Sequence, residues 1–170
     1  MDTPTHRLAR RTRPYSPLDM SAQKGLGSAR RRMETESSAA AAKPIVAVFN
    51  SSSDTVDMLR TMLEAQGFHT VSGHIPELKK GELDFISFIE DHRPAVIVYD
   101  ISLPYDTNWN FLKLVRSAQP VQHCRFVLTT TNKPALDHLV GETEAIEIIG
   151  KPYDLDQVVA AVRSALGQAA

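Results

Sequence analysis

The sequence predicts an α/β domain of three layers, in which helices cover both faces of a five-stranded parallel sheet. Three observations carry this reading. From Pro44 onward, short apolar runs recur without the polar alternation of a half-exposed sheet, as expected for strands buried on both faces. Between them lie stretches with apolar residues at helical spacing. The strand-then-helix alternation occurs five times in about 125 residues, and right-handed crossovers then place helices on both faces.

The elements follow in order. Ile45 to Phe49 is a continuous apolar run and forms the first strand. Asn50 to Asp54 is a loop rich in N-cap residues, with Asp54 expected to cap the next helix. Val56, Leu59 and Leu63 give that helix its buried stripe, and Gly67 closes it. Phe68 to Val71 is a second, weaker strand. A helix centred on Phe85, Ile86 and Ile89 follows, and Pro94 stops it. Ala95 to Tyr99 is a third strand, fully apolar, ending at Asp100. Trp109, Leu112 and Val115 mark a third helix, Arg125 to Thr129 a fourth strand, Pro134 to Val140 a short fourth helix, and Ala145 to Ile149 the fifth strand. In the last helix Asp154 is the expected cap, Gln157 sits three residues on, and Leu155, Val158, Val159, Val162 and Leu166 share one face.

Composition narrows the function classes. The chain has 170 residues, 42% of them hydrophobic, and a formal net charge of −1. Its one thiol, Cys124, cannot build a disulfide framework, and His6, His69, His74, His92, His123 and His138 show no zinc-type spacing. No run approaches 18 apolar residues and no apolar stretch backs the N-terminal basic residues, so neither a membrane span nor a secretory signal is expected. A cytoplasmic protein is the expectation. Charge is unevenly divided: residues 1–43 hold nine Lys or Arg against four Asp or Glu, whereas residues 44–170 hold ten against sixteen. The first segment, with Arg7, Arg10, Arg11, Arg13 and Arg30 to Arg32 among Pro, Ser, Thr and Gly, has no apolar period. It is expected to be a disordered basic tail, dispensable for folding, before a domain spanning 44–170.

In parallel sheets of this kind, ligands bind outside the carboxyl ends of the strands. The residues found there are Asn50 and Ser51, Asp100, Thr129 and Thr130, and Lys151-Pro152. A carboxylate, a hydroxyl and an ammonium thus converge on one crevice. Asp100 with Pro104 four residues later, Thr129 twenty-nine after Asp100, and Lys151-Pro152 twenty-two after Thr129 resemble the receiver domain of two-component response regulators. The resemblance covers residues 44–168 and implies a flavodoxin-like sheet of order 2-1-3-4-5.

It also implies roles. Asp100 would be the phosphoacceptor, taking a phosphoryl group from a histidine kinase or phosphotransfer protein. Thr129 and Lys151 would contact the phosphoryl group, Lys151-Pro152 would be cis, and Ser102 would offer its backbone carbonyl to a metal beside Asp100. Such a protein is a signalling module in a phosphorelay, not an enzyme beyond its own phosphoryl transfer. With no DNA-binding output domain expected, it would act through partners.

Two departures accompany the match. Receivers carry two acidic residues after the first strand that help hold Mg²⁺, and here those positions are Asn50 and Ser51. The pocket then sums to zero instead of −2, and an amide and a hydroxyl are poor ligands for a hard cation, so the expected Mg²⁺ site is weak or absent. Asp54, three residues past the pair, and Asp106, six beyond Asp100, are the candidate substitutes. The aromatic that the family commonly carries three residues before the lysine is Ile148, so the usual coupling of Thr129 to an aromatic is altered. The alternative is a phosphorylation-independent pseudo-receiver that keeps the scaffold as a protein-docking module. A nucleotide- or flavin-binding enzyme fits less well, because the loop Asn50 to Thr55 contains no glycine.

Overall fold

The computed structural model describes residues 43–141 and 146–167. The basic segment 1–42 expected to be a disordered tail, and Ala145 at the expected start of the fifth strand, lie outside the described residues.

The elements are β1 (Ile45–Asn50), α1 (Ser53–Ala65), β2 (His69–His74), α2 (Ile75–Lys80), α3 (Phe85–His92), β3 (Val96–Ile101), α4 (Tyr105–Arg116), a 3-10 turn (Gln119–Val121), β4 (Arg125–Thr130), α5 (Lys133–Val140), β5 (Ile146–Gly150) and α6 (Leu155–Ala165). All strand pairs are parallel, in the order β2-β1-β3-β4-β5. Successive residues of each strand face opposite layers, and the apolar runs supply both. Val46, Val48, Val96, Val98 and Val127 pack with Leu59 and Leu63 of α1 and Val158 and Val162 of α6. Ala47, Phe49, Ile97, Tyr99, Phe126 and Leu128 pack with Ile89 of α3, Leu112 of α4 and Leu136 of α5. This is the predicted three-layer sandwich, with the predicted strand order.

Several boundaries differ from the sequence reading. The second strand runs to His74 instead of Val71. Ser72, Gly73 and His74 carry no apolar signal, but each sits in register with Val48, Phe49 or Asn50, and an edge strand needs only one buried partner. No expected helix corresponds to α2. It has six residues, one of them buried, with a Pro in its first turn and left-handed Gly81 at its end, too short for a period to register. Among the described residues there are therefore six α-helices where five were expected.

Two caps also differ. Ser52, not Asp54, caps α1: the Ser52 hydroxyl accepts a hydrogen bond from the Thr55 amide at 3.3 Å, and Asp54 sits inside the first turn. Asp154 occupies the N-cap of α6, but its side chain makes no capping hydrogen bond. The Gln157 amide bonds to its backbone carbonyl instead, at 3.0 Å.

Gly73 shows how tightly β2 lies against the core. A Cβ at this position would stand 2.7 Å from Phe49 Cε1 and 2.7 Å from Leu83 Cδ2. The Phe49 ring is itself wedged 5.0 Å from Phe85 and 5.2 Å from Phe88 between centroids, so it cannot swing away freely. Gly73→Ala is expected to cost about 1–3 kcal/mol in urea denaturation. An unchanged midpoint would mean that the edge strand shifts to make room.

Candidate functional site

The site is assembled at the carboxyl ends of β1, β3, β4 and β5. Strand β3 continues one residue past Asp100, so Asp100 is fixed within a central strand and pairs in register with Thr129 of β4. Asp100 is only 6% exposed and Thr129 1%. A buried carboxylate is costly unless paired, and here two donors serve it. The Thr129 hydroxyl donates to Asp100 Oδ1 at 2.8 Å, and Lys151 Nζ lies 2.7 Å from the same oxygen. Lys151 is brought there by the end of β5, where its amide donates to the Thr130 carbonyl at 2.7 Å and the following Lys151–Pro152 bond is cis. Its side chain is 26% exposed, so the ammonium bridges the buried carboxylate and the surface.

Both donors reach Oδ1. Every fully buried side-chain nitrogen or oxygen among the described residues has a hydrogen-bond partner. Oδ2, for which no donor is found among the described residues, is therefore not fully buried. Chemically this is a carboxylate with one oxygen held by a cation and a hydroxyl and the other left without either donor.

The remaining residues singled out in the sequence surround this cluster. Asn50 is buried at the end of β1, one position beyond the Phe49–Tyr99 register pair and so alongside Asp100. Its Oδ1 accepts from the Ser52 amide at 3.1 Å, which shapes the turn into α1. Ser51 is exposed. Ser102 follows β3, and Pro104, after a cis Leu103–Pro104 bond, stands at the N-cap of α4. The Ser102 carbonyl accepts a 2.7 Å hydrogen bond from Asn108 Nδ2. Asp54 and Asp106 lie exposed in the first turns of α1 and α4. Among the described residues, no three or more His, Cys, Asp or Glu side chains are grouped as metal ligands would be.

Three neighbours were not singled out by the sequence reading. Asn108 is one polar residue in a helix identified by its apolar stripe, and its reach back to Ser102 depends on the loop between. Tyr153 directly follows Lys151-Pro152, and this position was its only available signal. Its hydroxyl pKa is raised by burial and by the Asp100 charge, while a hydrogen bond with Thr129 acts in the opposite sense. The Tyr105 hydroxyl pairs with the Thr131 hydroxyl at 3.0 Å, tying the start of α4 to the loop after β4. Ile148 is half-buried and packs on the core face that contains Phe126 and Leu128.

Tyr99, beneath Asp100, has its hydroxyl pKa pushed up to about 12 from an ordinary 10.0, first by burial and then by the Asp100 carboxylate. A raised folded-state pKa favours folding fully below the unfolded value, and that contribution is lost as pH rises through the folded one. Stability should therefore decline between pH 10 and about 12. Tyr99→Phe keeps the ring and is expected to leave stability at neutral pH unchanged while flattening that decline. Urea midpoints measured across the alkaline range check this, and an equally steep decline in the variant would assign the loss to other groups.

No protein-family model and no curated protein matches the chain. Solved structures do match it. The chemotaxis protein CheY4 of Vibrio cholerae shares 19% identity over 73% of this chain and 99% of its own, with a TM-score of 0.57. The signal receiver domain of a signal transduction histidine kinase from Syntrophus aciditrophicus shares 18% over 73% of this chain and 90% of its own, with a TM-score of 0.58. A transiently phosphorylated switch in bacterial signal transduction shares 23% over 74% of this chain and 95% of its own, with a TM-score of 0.57. The domain thus has the fold of response-regulator receivers.

Proposed function

We propose that this chain is a receiver module of two-component signal transduction and that Asp100 is its phosphoacceptor. One observation carries the reading: Lys151 and Thr129 reach from neighbouring strand ends to a single oxygen of a buried Asp100. In the transfer, Asp100 Oδ2 attacks the phosphorus of the donor. The P–N bond of a phosphohistidine, or the P–O bond of a small phosphodonor, breaks, and the leaving atom keeps the electron pair and takes a proton from solvent. Lys151 supplies the cationic charge beside the phosphoryl group, which adds about two negative charges near neutral pH. Thr129 orients the acceptor. The neighbour described as a transiently phosphorylated switch makes the same chemistry reasonable for this fold. A histidine kinase or phosphotransfer protein is the partner class that such an acceptor requires.

Mg²⁺, which the receiver resemblance implies, does not fit these residues. Among the described residues Asp100 is the one carboxylate in the cluster and is already neutralised by Lys151, while the neighbouring amide and carbonyl oxygens hold internal donors. No step is assigned to the metal. The same donor set favours a second reading, in which the domain docks on partners without phosphorylation and the Asp100–Lys151 pair is structural.

Intact-mass measurement separates the two. The unaltered protein and Asp100→Asn are each incubated with small phosphodonors and with a histidine kinase. A phosphoryl adduct on the unaltered protein alone supports Asp100 as acceptor. An adduct on both moves the acceptor elsewhere, and an adduct on neither selects the docking reading. No helix among the described residues is long and apolar enough to cross a membrane.

A further inference from the structure

Of the four positions at which the receiver resemblance places metal ligands, Ser51 is exposed and the other three each hold a donor from the protein itself. Asp100 Oδ1 receives the Lys151 ammonium at 2.7 Å and the Thr129 hydroxyl at 2.8 Å. Asn50 Oδ1 receives the Ser52 amide at 3.1 Å. The Ser102 carbonyl receives Asn108 Nδ2 at 2.7 Å, which is short for a neutral N–H···O bond and is partly shielded from solvent. Of the three, the last is the least expected. Asn108 lies in α4, which starts at Tyr105, and its side chain reaches back across the Leu103–Pro104 turn to Ser102.

A hydrogen-bond donor and a hard cation want the same thing from a carbonyl oxygen, its lone-pair density. Mg²⁺ sits at about 2.1 Å from its oxygen ligands and tolerates little departure from octahedral geometry. With the Asn108 amide already at contact distance, its positive hydrogen would face the ion. A carbonyl oxygen has two lone pairs, so the amide and the ion compete for its electron density, and binding the metal means weakening or displacing the amide.

We propose that Asn108 is a positioning residue that takes over the cation's place at the Ser102 carbonyl and so makes this a metal-free site by construction. The neutral pocket already opposes the ion, and the amide continues to oppose it where the acids are restored. The proposal rests on the receiver reading for the identity of the ligand positions, but not on whether Asp100 is phosphorylated. An account from charge alone expects restored acids to recover Mg²⁺ binding in full. With Asn108 in place, they recover it only in part.

Calorimetric titration of the full chain with MgCl₂ tests this on four forms: unaltered, Asn108→Ala, Asn50→Asp with Ser51→Asp, and all three substitutions together. Asn50→Asp keeps the oxygen that accepts from Ser52, so the turn into α1 is preserved. The first two forms are expected to show no saturable binding, because their pockets remain neutral. The acidic pair alone should bind weakly, and the triple form about tenfold more tightly or better, the scale on which outer partners of metal ligands act. Equal affinity of the double and triple forms overturns the proposal. So does saturable binding by the unaltered protein, or no binding by the triple form. Melting of each form without metal monitors the fold, and Asn108→Ser carries the same comparison if the alanine variant does not fold. Phosphoryl labelling of Asp100 is read separately by mass, so a failure of the receiver reading leaves the calorimetric result interpretable.

Discussion

Lys151→Ala is expected to destabilise the domain by about 2–4 kcal/mol at neutral pH, because it leaves a buried carboxylate without its cation. Asp100 is 6% exposed, and its remaining protein donor would be the Thr129 hydroxyl. Access of Oδ2 to water and the partial exposure of Lys151 keep the cost below that of a fully enclosed pair. The same substitution made on Asp100→Asn should cost less than about 1 kcal/mol, since a neutral amide needs no counter-charge. Chemical denaturation of the four forms closes the cycle. An equal cost in both backgrounds would mean that Lys151 contributes through its aliphatic stem and not through the pair.

The largest loss is expected from the layer below the site. Phe49 precedes Asn50 on β1, is 1% exposed, and its ring centroid lies 5.0 Å from Phe85, 5.2 Å from Phe88 and 5.9 Å from Tyr99. Phe49→Ala should cost about 3–5 kcal/mol, combining the lost transfer energy of the ring with the cavity that it leaves. The effect should not add to that of Gly73→Ala. With the Phe49 ring gone, the alanine methyl at position 73 enters space that the ring had occupied, so the double variant should be more stable than the sum of the singles implies. Simple additivity in denaturation would contradict the packing described for these two residues.

The sequence made the sheet legible because β1, β3 and β4 are buried on both faces and must be apolar throughout. Strand β2 was read short because it is an edge strand, whose Ser72, Gly73 and His74 are held by register with β1 and not by apolar side chains. α2 was missed for want of length. The cluster of Asp100, Thr129 and Lys151 was legible since topology alone brings strand ends together. The partners of that cluster were not: whether Asn108 reaches Ser102 or Tyr105 reaches Thr131 depends on loop paths that no period encodes. Asp54 was assigned a cap because Asp is a good N-cap residue, but Ser52 stood two places earlier with an equally suitable oxygen and the extended backbone that a cap requires.

The central claim is that Asp100, held by Lys151 and Thr129 and without a resident metal, accepts a phosphoryl group. The most direct measurement is the stoichiometry of phosphoryl label on the unaltered protein, with Asp100→Asn as the blank, in excess chelator and in excess Mg²⁺. Label is expected on the unaltered protein, none on Asp100→Asn, and the same stoichiometry in both buffers. Label that appears only with Mg²⁺ would contradict the metal-free site, and no label in either buffer would contradict Asp100 as an acceptor.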